Sequence, residues 1–239
     1  MNHSLIGFDV RKSLTPKLYY YIYRKQKNKV RYRGFNIKYF DFFTYLILIL
    51  RLEFSIVNIT MPYKENMFTL CNYCTYSSYR SLSTNLAIRY RNVVVCFNTD
   101  RVGFRKLMSK IKISKRIEVL IVGLGGAFKN IFEVIKNYKN ISNIYLLNRT
   151  KSKYLNLIKE NIREFRNIKM IKLIINTIPT YIFEDIVATM DFNSLRKRYT
   201  IDINYQKENK LQGEFKGYLY GETMLYGQAI ENLKVKKKI

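Results

Sequence analysis

The segment VLIVGLGGAFKN (Val119 to Asn130) constrains the fold more than any other part of the chain. A continuous apolar run that stops at Gly123 reads as a buried strand, and the residues after Gly125 and Gly126 read as a helix to about Asn137. Glycine lets the backbone turn sharply and lets a ligand approach it closely. The free N–H groups and positive dipole end of the next helix then favour an anion. The loop is a G-x-G-G-A variant of the dinucleotide-binding fingerprint. A bare strand-to-helix turn would also use such glycines, but a further strand, IYLLN (Ile144 to Asn148), follows the helix as a dinucleotide fold requires.

The end of that second strand selects the dinucleotide. A site for NAD usually places Asp or Glu there, against the ribose 2′-hydroxyl. Here the chain runs Asn148-Arg149-Thr150-Lys151, with Lys153 beyond, and no acid is present. Arginine suits a 2′-phosphate because its guanidinium can grip two oxygens at once. The expected cofactor is therefore NADP(H). Gly123, Gly125, Gly126, Ala127, Asn148, Arg149, Thr150 and Lys153 are the expected binding residues.

The rest of the chain alternates in type. Strands are expected at Ser4 to Phe8, Val30 to Ile37, Phe54 to Thr60, Val93 to Phe97, Lys172 to Thr177 and Thr200 to Ile203. Helices are expected at Lys17 to Lys27 behind Pro16, from Asp41 to about Arg51, at Arg101 to Lys110, and at Lys151 to Phe165. The Cys/Tyr/Ser-rich stretch before Val93 reads as irregular. The alternation implies an α/β protein with parallel sheets. The boundary between an N-terminal part and the glycine-loop part is expected near Asp100.

Net charge is the feature most open to misreading. The 239 residues carry a formal charge of +26, which raises nucleic-acid binding as a reading. The basic residues are spread along the chain, however, and Lys, Asn, Ile, Tyr and Phe all abound. We read this as the imprint of AT-rich codons, and expect no specific nucleic-acid partner. The three cysteines, Cys71, Cys74 and Cys96, are expected as free thiols. With His3 they do not make a convincing zinc set, so no metal is expected. The longest apolar run, Phe42 to Leu50, falls short of the roughly 20 residues that span a bilayer and reads as a buried core helix. The start, MNHSLIGF, does not read as a secretory leader. A cytoplasmic protein without membrane attachment is expected.

Several motifs, in order, resemble those of the shikimate dehydrogenase family. IGFDVRKSLTP (Ile6 to Pro16) resembles its opening strand and S-L-S-P turn, NITMPYK (Asn58 to Lys64) its N-V-T-x-P-x-K, and NTDRVGF (Asn98 to Phe104) its N-T-D-x-x-G-F. INTIP (Ile175 to Pro179) and GETMLYGQA (Gly221 to Ala229) complete the series. The resemblance implies two domains with a cleft between them: substrate-binding over 1–99, and Rossmann-like and NADP-binding over 100–222. The helix of 223–239 would pack back on the first domain. It implies reversible reduction of 3-dehydroshikimate to shikimate in aromatic amino acid biosynthesis, by a monomer or homodimer. Lys64 and Asp100 would be the catalytic pair. Ser13, Thr15, Thr60, Asn85 and Gln228 would bind substrate with them, Thr15 standing for a serine. Departures are Lys12 for a common histidine, Asn85-Leu86 for Asn-Thr, and Tyr181-Ile182 for Gly-Met on the nicotinamide side. Alternatives are a quinate/shikimate enzyme and a non-catalytic member of the family.

Overall fold

The computed structural model describes residues 2–27, 30–38, 41–44, 46, 54–149, 162–165, 171–189, 196–205 and 211–238. They fall into two compact units, Met1–Gly103 with Leu225–Ile239, and Phe104–Met224.

The first unit is built on a sheet of strands β1 (Asn2–Gly7), β2 (Arg31–Asn36), β3 (Phe54–Ile59), β4 (Tyr73–Cys74), β5 (Leu86–Tyr90) and β6 (Val93–Phe97). Their spatial order is β2-β1-β3-β5-β6-β4. β2, β1 and β3 are parallel, whereas β5 runs antiparallel to both β3 and β6. Consequently the carboxyl ends of β1, β3 and β6 and the amino end of β5 share one edge. Helix α1 (Thr15–Lys25) takes Pro16 in its first turn, where the missing N–H costs nothing. It buries Thr15, Tyr19, Ile22 and Tyr23, one helical face, and packs there with Ala229 and Leu233 of α7 (Glu222–Lys238). A separate cluster holds Ile6, Val57, Ile59, Ala87 and Cys96 of the strands with Phe42, Leu46, Tyr63 and Met67. Short helices α2 (Lys64–Thr69) and α3 (Tyr76–Ser81) complete this unit.

The second unit begins within α4 (Asp100–Met108) and continues through β7 (Ile117–Val122), α5 (Phe128–Ile135), β8 (Ile141–Leu147), β9 (Ile162–Glu164), β10 (Ile171–Asn176), α6 (Thr180–Ala188), β11 (Tyr199–Asp202) and β12 (Gly217–Tyr220). Its strands are all parallel, in the order β12-β11-β10-β7-β8-β9. This is the doubly wound arrangement, with the chain reversing direction between β7 and β10. Alternate side chains serve opposite faces. Val119 and Ile121 pack with Phe104, Leu107, Phe128 and Ile131, while Leu120 and Val122 pack with Phe183 and Val187. A parallel sheet covered on both faces needs such unbroken apolar strands.

Several expectations need correction. The stretch before Val93 is not irregular: it holds α2, β4, α3 and β5. The β5–β6 hairpin makes the first sheet mixed rather than parallel. Its turn, Arg91-Asn92, has no glycine, and Arg91 itself takes φ +52°, which hid the signal. Ile162–Glu164 is a strand and not the end of a helix, because it pairs with β8 at the sheet edge. The rest of that expected helix lies outside the described residues. So does most of the expected helix from Asp41; residues 42–44 and Leu46 are helical, with Phe42 and Leu46 buried. Helix α6 and strand β12 were not anticipated. Finally, Cys71 and Cys96 form a disulfide, leaving Cys74 as the free thiol. The chain after α2 runs alongside β6, which brings the two Cα atoms to 5.8 Å. Among the described residues, no helix is long and apolar enough to cross a membrane, and no group of three potential metal ligands occurs.

Candidate active site

Four connections converge on the shared edge of the first sheet. Ser13 and Thr15 follow β1, Thr60 and Lys64 follow β3, Asn85 precedes β5, and Asp100 follows β6. At the centre, Lys64 Nζ lies 2.7 Å from Asp100 Oδ2. The carboxylate is 1% exposed and the lysine side chain 20%, so the ammonium is the accessible end of the pair. The other carboxylate oxygen, Oδ1, accepts from Asn85 Nδ2 at 2.8 Å and from Gln228 Nε2 at 2.6 Å. A buried carboxylate with three donors is held in one orientation.

The local chain explains this arrangement. The Asn98-Thr99-Asp100 turn is anchored by Asn98, whose amide donates to Ser81 Oγ, Ser83 O and Ser83 Oγ, and whose Oδ1 accepts from the Asp100 N–H. Asn85 is clamped by its backbone: its carbonyl accepts from Ile59 N–H and its N–H donates to Phe97 carbonyl. Lys64 opens α2, and its carbonyl accepts from Thr84 N–H at 2.8 Å. Gln228 arrives on α7. Asp100 is the first residue of α4, and its side chain turns to Lys64.

Ser13 and Thr15 form a separate pair, with the Ser13 hydroxyl donating to Thr15 Oγ1 at 2.9 Å. Thr60, half-buried, is held by its N–H to the Ile6 carbonyl. The structure therefore joins Lys64, Asp100, Asn85 and Gln228 in one network and places the three hydroxyl residues on adjoining loops. Sequence reasoning missed Thr99 and Asn232 as members of this network. Thr99 stands inside the N-T-D motif, but Asn232 carries no sequence signal.

In the second unit the glycine loop leaves the carboxyl end of β7, beside the point where the chain reverses. Gly123 has φ +96°, and a Cβ there would collide with Ile178 and come 2.7 Å from Thr177 Oγ1. Gly125 and Gly126 are exposed, and a Cβ on either would meet nothing closer than 3.9 Å. Protein packing thus explains Gly123 but not the other two, which stand open in front of α5. That fits a dinucleotide whose pyrophosphate needs close access to the backbone. Arg149 is exposed just past β8, with Asn148 half-buried before it. Thr150, Lys151 and Lys153 lie outside the described residues. Behind the loop, the buried Asp202 carboxylate accepts from Asn176, Thr180, Asn204 and Tyr218, tying the INTIP turn to β11. Tyr181 and Ile182 are exposed in the first turn of α6.

The chain is similar to known proteins in sequence and in fold. Residues 5–86 match the family model described as the shikimate dehydrogenase substrate binding domain. A shikimate dehydrogenase (NADP(+)) of Aquifex aeolicus is 28% identical over 98% of this chain and 90% of its own length. One of Pelagibacter ubique is 28% identical over 86% and 74%. The crystal structure of the shikimate dehydrogenase from Aquifex aeolicus superposes with a TM-score of 0.87 at 24% identity, covering all of this chain and 93% of that one. The substrate-domain model over residues 5–86 and the near full-length relatives thus make this chain similar to the shikimate dehydrogenases, whose fold it shares.

Proposed function

We propose that the protein interconverts 3-dehydroshikimate and shikimate with NADP(H). The observation that carries this reading is the Lys64–Asp100 pair, oriented by Asn85 and Gln228. NADPH, when bound, supplies the hydride. The chain's own residues then have two tasks, positioning and proton management. Lys64 is the proton donor to the ketone oxygen in reduction. In oxidation it, or a water it orders, receives the alcohol proton. Asp100 holds the ammonium and accepts from a ring hydroxyl. Ser13 and Thr15 would bind the substrate carboxylate through neutral donors, and Thr60, Asn85 and Gln228 its hydroxyls. The first unit is thus the substrate side. The second, with Gly123, Gly125, Gly126 and Ala127 at the pyrophosphate and Asn148 and Arg149 near the 2′-phosphate, is the cofactor side. The relatives named for NADP(+) and the absence of an acid at Arg149 both support NADP over NAD.

The test is NADPH absorbance at rising shikimate with NADP⁺, with quinate and NAD⁺ beside it. Shikimate-dependent NADPH formation is expected. Lys64→Ala is expected to lower kcat/KM by about 10³-fold without unfolding the chain. A folded wild type that binds NADP⁺ but leaves shikimate unchanged would overturn the reading.

A further inference from the structure

The hydrogen bonds that orient Asp100 do not end at Asn85. The two hydrogens of Asn85 Nδ2 go to Asp100 Oδ1 at 2.8 Å and to Thr99 Oγ1 at 3.2 Å. Asn85 Oδ1 accepts from the Thr99 N–H at 3.0 Å, so the amide cannot turn over without losing its partners. Thr99 has one hydroxyl hydrogen. It can point to Asn85 Oδ1 at 3.3 Å or to Asn232 Oδ1 at 2.7 Å. The shorter bond wins, and this leaves the Thr99 lone pair free to accept from Asn85. Asn232 is in turn held by Tyr19, to whose hydroxyl its Nδ2 donates at 2.9 Å. The Tyr32 ring stacks on Tyr19, and its hydroxyl donates to Asn58 Oδ1 of β3 at 3.0 Å. Asn85, Thr99, Asn232 and Tyr19 are all buried, so no water stands ready to replace a lost partner.

We propose that Asn232 is a positioning residue for the Lys64–Asp100 pair, acting through Thr99 and Asn85. By accepting the Thr99 hydroxyl it sets the direction of the hydrogen bonds that run through Thr99 and Asn85 to the carboxylate. The same helix reaches Asp100 a second time through Gln228, one turn earlier. Helix α7 therefore grips Asp100 twice, once directly and once through a relay. Without Asn232 the Thr99 proton falls back on Asn85 Oδ1, where it competes with the Thr99 N–H. The Asn85 amide then loosens, and with it the carboxylate that holds Lys64. The proposed substrate contacts of Ser13, Thr15, Thr60 and Gln228 lie outside this relay, so the loss belongs to turnover more than to binding.

The inference rests on the proposed shikimate dehydrogenase activity, so wild-type turnover is measured first; its absence would sink that reading and not this one alone. Asn232→Leu removes both polar ends at similar size. It is expected to lower kcat about tenfold while KM for shikimate changes by no more than about twofold. Thr99→Val should reproduce this split, and Thr99→Ser, which keeps the hydroxyl, should restore turnover. In an Asn85→Ala background, Asn232→Leu should add little, because the relay is already cut. Circular dichroism and melting curves establish folding. An active wild type with unchanged kcat in folded Asn232→Leu overturns the proposal. So do equal losses in Thr99→Val and Thr99→Ser, or an Asn232→Leu loss that persists in full without Asn85. If Asn232→Leu does not fold, the Thr99 pair decides by itself.

Discussion

At Gly7 a side chain would run into Thr60 Cγ2 and come 2.9 Å from Val10 Cγ1. The glycine is there for space, so that the loop after β3 can close against the end of β1. Gly7→Ala is expected to push Thr60 out of place, lowering kcat/KM by about tenfold or more. It should also cost about 1–3 kcal/mol of stability from overpacking. Steady-state kinetics and urea unfolding read the two effects, and an unchanged kcat/KM would show that Thr60 does not need its position. Lys64 and Asp100 were legible because they sit in spaced motifs. The reason Gly7 must be glycine was not, since its neighbour Thr60 is far along the chain. Asn232 was invisible for the same reason: its partners, Tyr19 and Thr99, are 213 and 133 residues away.

Strand β1 is pinned between two helices by a single histidine. His3 bonds Tyr23 of α1, whose ring meets it edge-on, and Lys236 Nζ of α7 lies 3.3 Å from its Nε2. Tyr19 and Tyr32 also face the ring. Burial first, then the charges of Lys236 and the N-terminus, push the imidazole from its ordinary 6.5 down to about 3. The unfolded chain therefore takes up this proton before the folded one does. Stability from the neutral ring is complete above pH 6.5 and drains away as pH falls toward 3. The slope is at most about 1.4 kcal/mol per pH unit. His3→Gln, which keeps a hydrogen-bonding amide but does not titrate, is expected to flatten stability across this window. Urea midpoints measured stepwise down the window check it, and an unaltered slope would place the acid sensitivity elsewhere. At this scale the sequence was readable where strands are apolar on both faces, as in β7 and β10. It was unreadable at β5 and β9, where a glycine-free turn and a short edge strand give no periodic signal.

Across the whole molecule, the charge of +26 is a field rather than a site. Such a field draws in anions and is screened over about 8 Å at physiological salt. NADP⁺ carries several phosphate charges and shikimate one carboxylate. Raising ionic strength is therefore expected to increase KM for NADP⁺ several-fold and KM for shikimate much less. Equal effects on both would argue that local contacts, not the field, govern cofactor capture. The sequence determined by itself the α/β class, the glycine loop and the basic residue after β8. Each of these rests on local periodicity, backbone freedom or spacing, which a linear sequence records. Only the tertiary structure decided that β5 runs antiparallel, that Cys71 meets Cys96, and that α7 reaches Asp100 through both Gln228 and Asn232. Those features depend on which distant residues share a buried site, and unpaired buried polar groups cost too much for the folded chain to leave that open.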